Sequence, residues 1–210
     1  MVKENNVITE NVEIFFSSDN IGIANSKNQA AHRYYYKKVF DEKHKDKILT
    51  FIMLNPSNAD QYKPDQTIKN IEEITRTSEK GYGAFAVLNL FSYRTPKPKD
   101  LIDAINNDKK FSNDENYTNY IVKEKLGTDI VLAWGSSAKS ICSKYNEDYY
   151  KNVLERLRDS GKPLYTYAKN LNKDGSPKHP GSLSYNKVNK EDKVLTKLSI
   201  NADFELKLLS

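Results

Sequence analysis

The sequence is poor in the residues that build disulfides and metal centres. Its 210 residues include one cysteine, Cys142, and three histidines. A single cysteine excludes an internal disulfide and any zinc or iron–sulfur site built from clustered cysteines. Two of the histidines, His32 and His44, lie in polar or charged surroundings, which does not favour a site built from all three. We expect no metal and no other cofactor.

Long apolar runs are also missing. No run approaches the roughly 18 residues that a membrane span requires, and the amino-terminal segment MVKENNVITEN has no apolar signal core. We therefore expect a cytoplasmic protein with no membrane partner. At this length one domain is the simplest organisation, and we expect a monomer.

Basic residues are in only small excess over acidic residues. Lysine and arginine total 33 and aspartate and glutamate total 28, which gives a net charge of +5. This balance favours an anionic partner, but the two signs are mixed along the chain. Charge alone is therefore weak evidence for nucleic-acid binding.

What the sequence does contain is a series of apolar, strand-like segments that end in polar residues. They are residues 49–54, 84–90, 129–134 and 163–168. Helical patterns lie between them, and the first is predicted to start after Asp65 as its N-cap, with isoleucines on one face. This alternation predicts a parallel sheet with helices on both sides. Open sheets of this kind bind ligands at the carboxyl ends of their strands. The polar residues Asn55, Asn89 and Ser136 are therefore candidate site residues.

The amino-terminal region contains two further strand-like pieces, residues 11–17 and 33–40, which predict a peripheral hairpin or flap. Three consecutive tyrosines, Tyr34 to Tyr36, stand beside basic residues in the second piece. Such tyrosines either stack on nucleic-acid bases or pack on the sheet as part of an edge strand. The sequence favours packing.

Four short motifs, read together, resemble those of the uracil-DNA glycosylase superfamily. Leu54-Asn55-Pro56-Ser57 resembles the G-x-N-P-G form of its first motif, and Asn89 matches its base-reading asparagine. Trp134-Gly135-Ser136-Ser137-Ala138-Lys139 is close to WGSYAQ. His179-Pro180-Gly181-Ser182-Leu183-Ser184 differs from HPSPLS at two positions. The LNPS-x-AD and PKHP phrases are also similar to a narrower family found in bacteria and phages.

This resemblance implies a three-layer α/β/α fold around a central four-stranded parallel sheet. The predicted amino-terminal strand or hairpin is an extension for which the superfamily has no assigned counterpart. The matching core covers residues 48–190 in the correct order. Residues 1–47 form the peripheral amino-terminal extension, and residues 191–210 form a carboxyl-terminal extension. All three parts belong to one domain.

The resemblance also implies base excision, in which a monofunctional hydrolase flips a base out of DNA and cleaves its N-glycosidic bond during repair. The partner is single- or double-stranded DNA, with RNA as the alternative, and the base is uracil or a modified pyrimidine. In the catalytic roles, Asn55 orients water and His179 donates a hydrogen bond to the base O2. The base-binding candidates are Asn89, Ser57, Tyr62 and Phe91. The candidates for backbone contacts and for the wedge that replaces the flipped base are Pro56, Ser136, Ser137, Lys178, Ser182, Leu183 and Ser184.

Two departures from the superfamily pattern affect these roles. The best-studied branch has aspartate at the Asn55 position, and an amide cannot take a proton from water as a carboxylate does, although the mismatch-specific branches also carry asparagine there. On this basis Asn55→Asp is expected to raise uracil excision. Ser57 stands where that branch has a tyrosine, which leaves room beside the pyrimidine C5. The alternative function is a catalytically silent nucleic-acid-binding protein of the same fold.

Overall fold

The structure is a computed structural model that describes residues 4–8, 11–17, 32–57, 64–95, 97–107, 125–181 and 185–209. These residues form nine strands and four α-helices whose bounds are defined. The elements, in chain order, are β1 (Glu4–Ile8), β2 (Val12–Ser17), β3 (Arg33–Val39), β4 (Ile48–Met53), α1 (Gln66–Thr77), β5 (Ala84–Asn89), α2 (Pro98–Asn107), β6 (Asp129–Leu132), α3 (Ala138–Tyr145), α4 (Tyr149–Asp159), β7 (Leu164–Thr166), β8 (Thr196–Ile200) and β9 (Leu206–Leu208).

All nine strands belong to one mixed sheet in the order β1-β2-β3-β5-β4-β6-β7-β8-β9. The neighbours β5, β4, β6 and β7 run parallel, and the remaining pairs are antiparallel. The predicted α/β class is therefore confirmed. The sheet is mixed, because strands from both ends of the chain pair with the two edges of the parallel strands.

The central strand β4 shows how the two faces of the sheet are filled. Its side chains alternate between faces, and all are apolar except Thr50. Phe51 and Met53 pack with the buried isoleucines of α1. Ile52 and Leu54 pack on the other face, in the core that also contains buried residues of α2, α3 and α4. Helices therefore cover both faces, which is why β4 reads as one continuous apolar run.

Helix α1 begins where the sequence predicts. The Asp65 side chain caps it by accepting a hydrogen bond from the backbone N–H of Ile68 at 2.9 Å. Ile68, Ile71 and Ile74 are buried against the sheet, as their spacing indicates. The cap fixes the start of the helix beside the carboxyl end of β4.

Strand β3 connects the amino-terminal hairpin to the main sheet by pairing with β5. Tyr34, Tyr35 and Tyr36 are 7%, 3% and 1% exposed, so their rings belong to the cores. This burial agrees with packing on the sheet and leaves no ring face for a nucleic-acid base. Arg33 begins β3 and is 3% exposed.

The described helices are all too short or too polar to cross a membrane. Cys142 is buried in α3, where desolvation raises the pKa of its thiol to about 12. A thiol in this state is a small core residue and a poor nucleophile.

Candidate active site

A cavity of about 310 Å³ lies at the carboxyl ends of β4, β5 and β6. It is lined by Arg33, Met53, Leu54, Asn55, Ser57, Asp65, Thr67, Ile68, Asn89, Thr95, Trp134, Gly135, Ser136, Ser137 and His179. Six of the predicted site residues, Asn55, Ser57, Asn89, Ser136, Ser137 and His179, therefore share one cavity. This is the edge at which parallel sheets bind ligands.

The loops after β4 and β5 are held together by backbone hydrogen bonds. The N–H groups of Leu90 and Phe91 donate to the carbonyls of Met53 and Leu54 at 2.8 and 2.9 Å. Farther on, the N–H of Thr95 donates to the carbonyl of Pro56 at 2.9 Å. The two polar loops consequently leave the sheet side by side, which places Asn55 and Asn89 in the same cavity.

The amide of Asn55 has a fixed orientation. Its Nδ2 donates to the carbonyl of Thr95 at 2.8 Å and to the carbonyl of Pro56 at 3.1 Å. Both amide hydrogens are thereby used, and Oδ1 remains as an acceptor. This arrangement suits an oxygen that holds a water molecule. It also changes the expectation for Asn55→Asp, because a carboxylate oxygen would face two carbonyl oxygens without a hydrogen to share.

Asn89 has the most unusual environment of the cavity residues. Its side chain is 5% exposed, yet neither Oδ1 nor Nδ2 has a hydrogen-bond partner in the described part of the chain. A buried polar group without a partner costs roughly 1–3 kcal/mol. An amide that retains both a donor and an acceptor inside a cavity is well suited to read the edge of a base.

The imidazole of His179 is neutral and has a defined tautomer. Burial lowers its pKa to about 4, against a smaller opposing effect of the Asp65 carboxylate. Its Nδ1 accepts a hydrogen bond from the backbone N–H of Gly181 at 2.9 Å. The single ring proton therefore resides on Nε2, and the ring presents a neutral N–H donor.

The loop that carries His179 is fixed from both sides. The hydroxyl of Tyr167 donates to the carbonyl of His179 at 3.0 Å, and Nδ2 of Asn70 donates to the carbonyl of Pro180 at 2.7 Å. A Cβ atom at Gly181 would lie 2.8 Å from the ring Nδ1. Gly181 stands where the HPSPLS motif has serine. Because glycine has no side chain, the backbone at this position can approach the imidazole ring.

The turn after β6 brings the next loop against His179. Gly135 has a φ of +78°, and a Cβ added there would lie 3.2 Å from Cβ of His179. Ser136 and Ser137 follow at the start of α3 and are exposed. Ser137 is the N-cap residue, but its side chain makes no capping hydrogen bond. These hydroxyls and N–H groups remain available to an anion such as a phosphate.

Two charged residues of the cavity were missed by the sequence reasoning. Asp65 was recognised only as a helix cap, and its second oxygen accepts a hydrogen bond from the hydroxyl of Ser57. Arg33 was assigned to a peripheral hairpin, and its guanidinium lies 5.5 Å from the Tyr36 ring centroid, over that ring. The register of β3 on β5, which brings Arg33 to this edge, has no signal in the sequence. For Asp65 a signal existed, since the cap follows the first motif by only eight positions.

Other predicted residues lie elsewhere. Phe91 does not line the cavity, because its ring is buried in the core against Tyr145 and Tyr149 at centroid distances of 5.5 and 5.4 Å. Pro56 is buried and contributes its carbonyl to the loop. Lys178 lines a neighbouring cavity with other lysines. Tyr62, Ser182, Leu183 and Ser184 lie outside the described residues.

In the described part of the chain, no three histidine, cysteine, aspartate or glutamate side chains are grouped so as to hold a metal ion. The described residues that line the cavity present amides, hydroxyls, an imidazole, a carboxylate and a guanidinium.

Comparison with known proteins gave one positive result. Searches of curated proteins and of solved structures found no match. A family model with the description "Protein of unknown function (DUF1643)" matches residues 33–181, a span that begins at Arg33 and ends just past His179. It includes every described residue that lines the cavity. Because the match covers more than half of the chain, the protein belongs to the DUF1643 family.

Proposed function

We propose that this protein is a uracil-DNA glycosylase-like hydrolase that binds nucleic acid and cleaves the N-glycosidic bond of uracil or a modified pyrimidine. Four parallel strands with helices on both faces, and the order of the four motifs along them, support a glycosylase-like core. The bound base would occupy the cavity at the carboxyl ends of these strands. A volume of about 310 Å³ lies at the lower end of the range of small-molecule sites and is large enough for one base.

The observation that carries this proposal is the amide of Asn89. Both of its polar atoms are buried in the cavity without a partner in the described chain. Native proteins satisfy the great majority of buried polar groups, so an exception in a cavity indicates a ligand that supplies the missing hydrogen bonds. The N3–H and the O4 of uracil offer one donor and one acceptor at neighbouring ring positions, which is the complement of an amide.

His179 provides the second element of the mechanism. When the glycosidic bond breaks, negative charge develops on the departing base and positive charge on the sugar. A neutral imidazole with its proton on Nε2 donates a hydrogen bond to that anion, and its position inside a buried cavity strengthens the interaction. On the other side, Oδ1 of Asn55 holds the attacking water.

A base can enter this cavity only after it has left the base stack of the nucleic acid. Base flipping costs a few kcal/mol, so the protein must grip the backbone on either side. Ser136 and Ser137 at the start of α3 suit one phosphate. A neighbouring cavity is lined by Lys169, Lys178 and Lys187 and suits the nucleic-acid backbone on the other side of the flipped base. It lies next to the first cavity, since Lys178 directly precedes His179.

A specific observation also favours the second candidate, a nucleic-acid-binding protein without catalysis. Asn55 occupies the position of a catalytic carboxylate, and its amide cannot accept a proton. A chain that retained base recognition but lost hydrolysis would contain such an amide.

The experiment that distinguishes these functions measures base release from single-stranded, U·A and U·G oligonucleotides, with cleavage at the abasic site as the readout. The proposal predicts release by the wild type and a loss of about 10²- to 10³-fold in His179→Ala. Binding to the same oligonucleotides is measured in parallel and is expected to weaken steeply with salt. Binding without release from any of them supports the second candidate. The absence of binding contradicts both.

A further inference from the structure

The start of α1 places a carboxylate in the wall of the cavity. Asp65 lines it together with Asn55 and His179, and it is the only carboxylate among the described lining residues. Its Oδ1 accepts from the N–H of Ile68, and Oδ2 accepts from the hydroxyl of Ser57. Two carboxylate oxygens offer about four acceptor positions, so these two bonds leave capacity for a further donor.

The charge of this carboxylate is not neutralised by a direct ion pair. Within the described residues, no lysine or arginine forms a salt bridge with Asp65. The charged or titratable groups nearby are Arg33 from β3, Arg94, whose Nε donates to the carbonyl of Ser57 at 3.4 Å, and His179. The carboxylate lies within electrostatic reach of the imidazole. The Asp65 carboxylate is therefore placed to stabilise positive charge that develops in the cavity.

Hydrolysis of a glycosidic bond requires an acceptor for one proton of the attacking water. Asn55 cannot be this proton acceptor, because its amide oxygen can accept a hydrogen bond but does not take up a proton. Both hydrogens of its amide nitrogen are donated to carbonyls. His179 directs an N–H donor rather than a free lone pair into the cavity, because its Nδ1 already accepts from Gly181. Among the described lining residues, Asp65 is the one group that is both anionic and basic.

We propose that Asp65 is the general base of this site, a role that rests on the proposed glycosylase function. In this reaction the water held by Asn55 attacks C1′ of the sugar, and the bond between C1′ and the base nitrogen breaks. The electron pair of that bond leaves with the base, whose negative charge is stabilised by the N–H of His179. One proton of the water passes to the carboxylate of Asp65 and then to solvent, and the base anion takes a proton from solvent. The products are a neutral base and an abasic sugar.

The role of Asp65 as a helix cap must be separated from its role as a base. Asp65→Asn makes that separation, because asparagine caps a helix about as well as aspartate but carries no charge. The midpoint of denaturant unfolding is therefore expected to stay close to that of the wild type. Asp148→Asn is the control for removing a carboxylate from an N-cap position outside the cavity. Asp148 is the exposed N-cap residue of α4, and its side chain makes no capping hydrogen bond.

The test measures single-turnover base release from one uracil-containing strand by the wild type and the two variants at the same pH. Asp65→Asn is expected to lower the rate by about 10²- to 10⁴-fold, and Asp148→Asn is expected to leave it unchanged.

The outcomes separate this inference from the function on which it rests. If the wild type releases base and Asp65→Asn releases it at the same rate, Asp65 only caps the helix, and the inference alone is overturned. The absence of release by the wild type, with nucleic-acid binding intact, overturns the glycosylase function and the inference together. A rate loss in Asp65→Asn that is matched by a large loss of stability is attributed to folding and also overturns the inference.

Discussion

The ring of His179 is fixed by Gly181, whose backbone N–H donates a hydrogen bond to Nδ1 over 2.9 Å. This contact requires the backbone at position 181 to approach the imidazole so closely that a side chain would collide with it. It also determines the tautomer, and with it the direction of the one N–H that the ring offers. The role proposed for His179 in stabilising the departing base therefore depends on the close approach of the Gly181 backbone.

The first prediction concerns this glycine. Gly181→Ala introduces a Cβ 2.8 Å from Nδ1, so the ring must move. A displacement of about 1 Å at a catalytic group can cost about 10²-fold, and we expect a loss of that size in single-turnover base release. Gly161→Ala is the control, because it strains a residue with a φ of +66° but meets no atom within 4 Å. Equal losses of activity in the two variants would show that general instability, not ring placement, is responsible.

The second prediction concerns the pH dependence of stability. In the unfolded chain the imidazole has the ordinary pKa of 6.5, whereas in the folded protein it is lowered to about 4. Between these values the unfolded state binds the proton and the folded state does not, so the stability due to neutral His179 is lost as the pH falls from about 6.5 to about 4. Compared with His179→Gln, the wild type should lose up to about 3 kcal/mol across this window. Denaturant titrations of both proteins at several pH values test this prediction. It is contradicted if the free energy of unfolding changes with pH to the same extent in the wild type and in His179→Gln.

The third prediction concerns Asn55→Asp, for which the sequence alone suggested a gain of activity. The structure indicates a loss, because a carboxylate at this position faces the carbonyls of Pro56 and Thr95. We expect the free energy of unfolding to fall by about 1–3 kcal/mol at pH 7. The deficit should shrink at acidic pH, where a protonated carboxyl regains one donor. A variant as stable as the wild type at pH 7, or one that excises uracil faster, contradicts this interpretation.

The fourth prediction concerns the unpartnered amide. Asn89→Leu removes two polar atoms that have no partner in the described chain, so it should be neutral or stabilising by about 1 kcal/mol while base release is lost. Thr166→Val is the matched control, because its hydroxyl is also buried without a partner there but does not line the cavity. It should stabilise without altering base release. A strongly destabilised Asn89→Leu variant would indicate that the amide is structural.

The sequence was sufficient to locate the cavity, because the cavity lies where the order and direction of the strands place it. Apolar runs that alternate with helices place the carboxyl ends of parallel strands at one edge, and Asn55, Asn89 and Ser136 each follow such a run. His179 came from the motif pattern rather than from periodicity. The sequence therefore predicted which loops meet, and the structure supplies the distances.

The missed residues depend on register and on side-chain direction, which periodicity does not determine. Phe91 comes two residues after Asn89, but its ring packs in the core against Tyr145 and Tyr149 and does not line the cavity. Arg33 reaches the cavity because β3 pairs with β5, a contact between segments about 50 residues apart. Asp65 lies close to the first motif in the sequence, but the sequence does not show that its second oxygen turns towards Ser57.

The most direct test of the account is the quantity of free base released in a single turnover from a uracil-containing single strand, with wild type, Asn89→Leu and Thr166→Val compared at equal occupancy of nucleic acid. We predict release by the wild type and by Thr166→Val, and a rate for Asn89→Leu that is lower by at least about 10²-fold. Equal release by all three, or release by none while each binds the strand, would contradict the claim that this cavity excises a base.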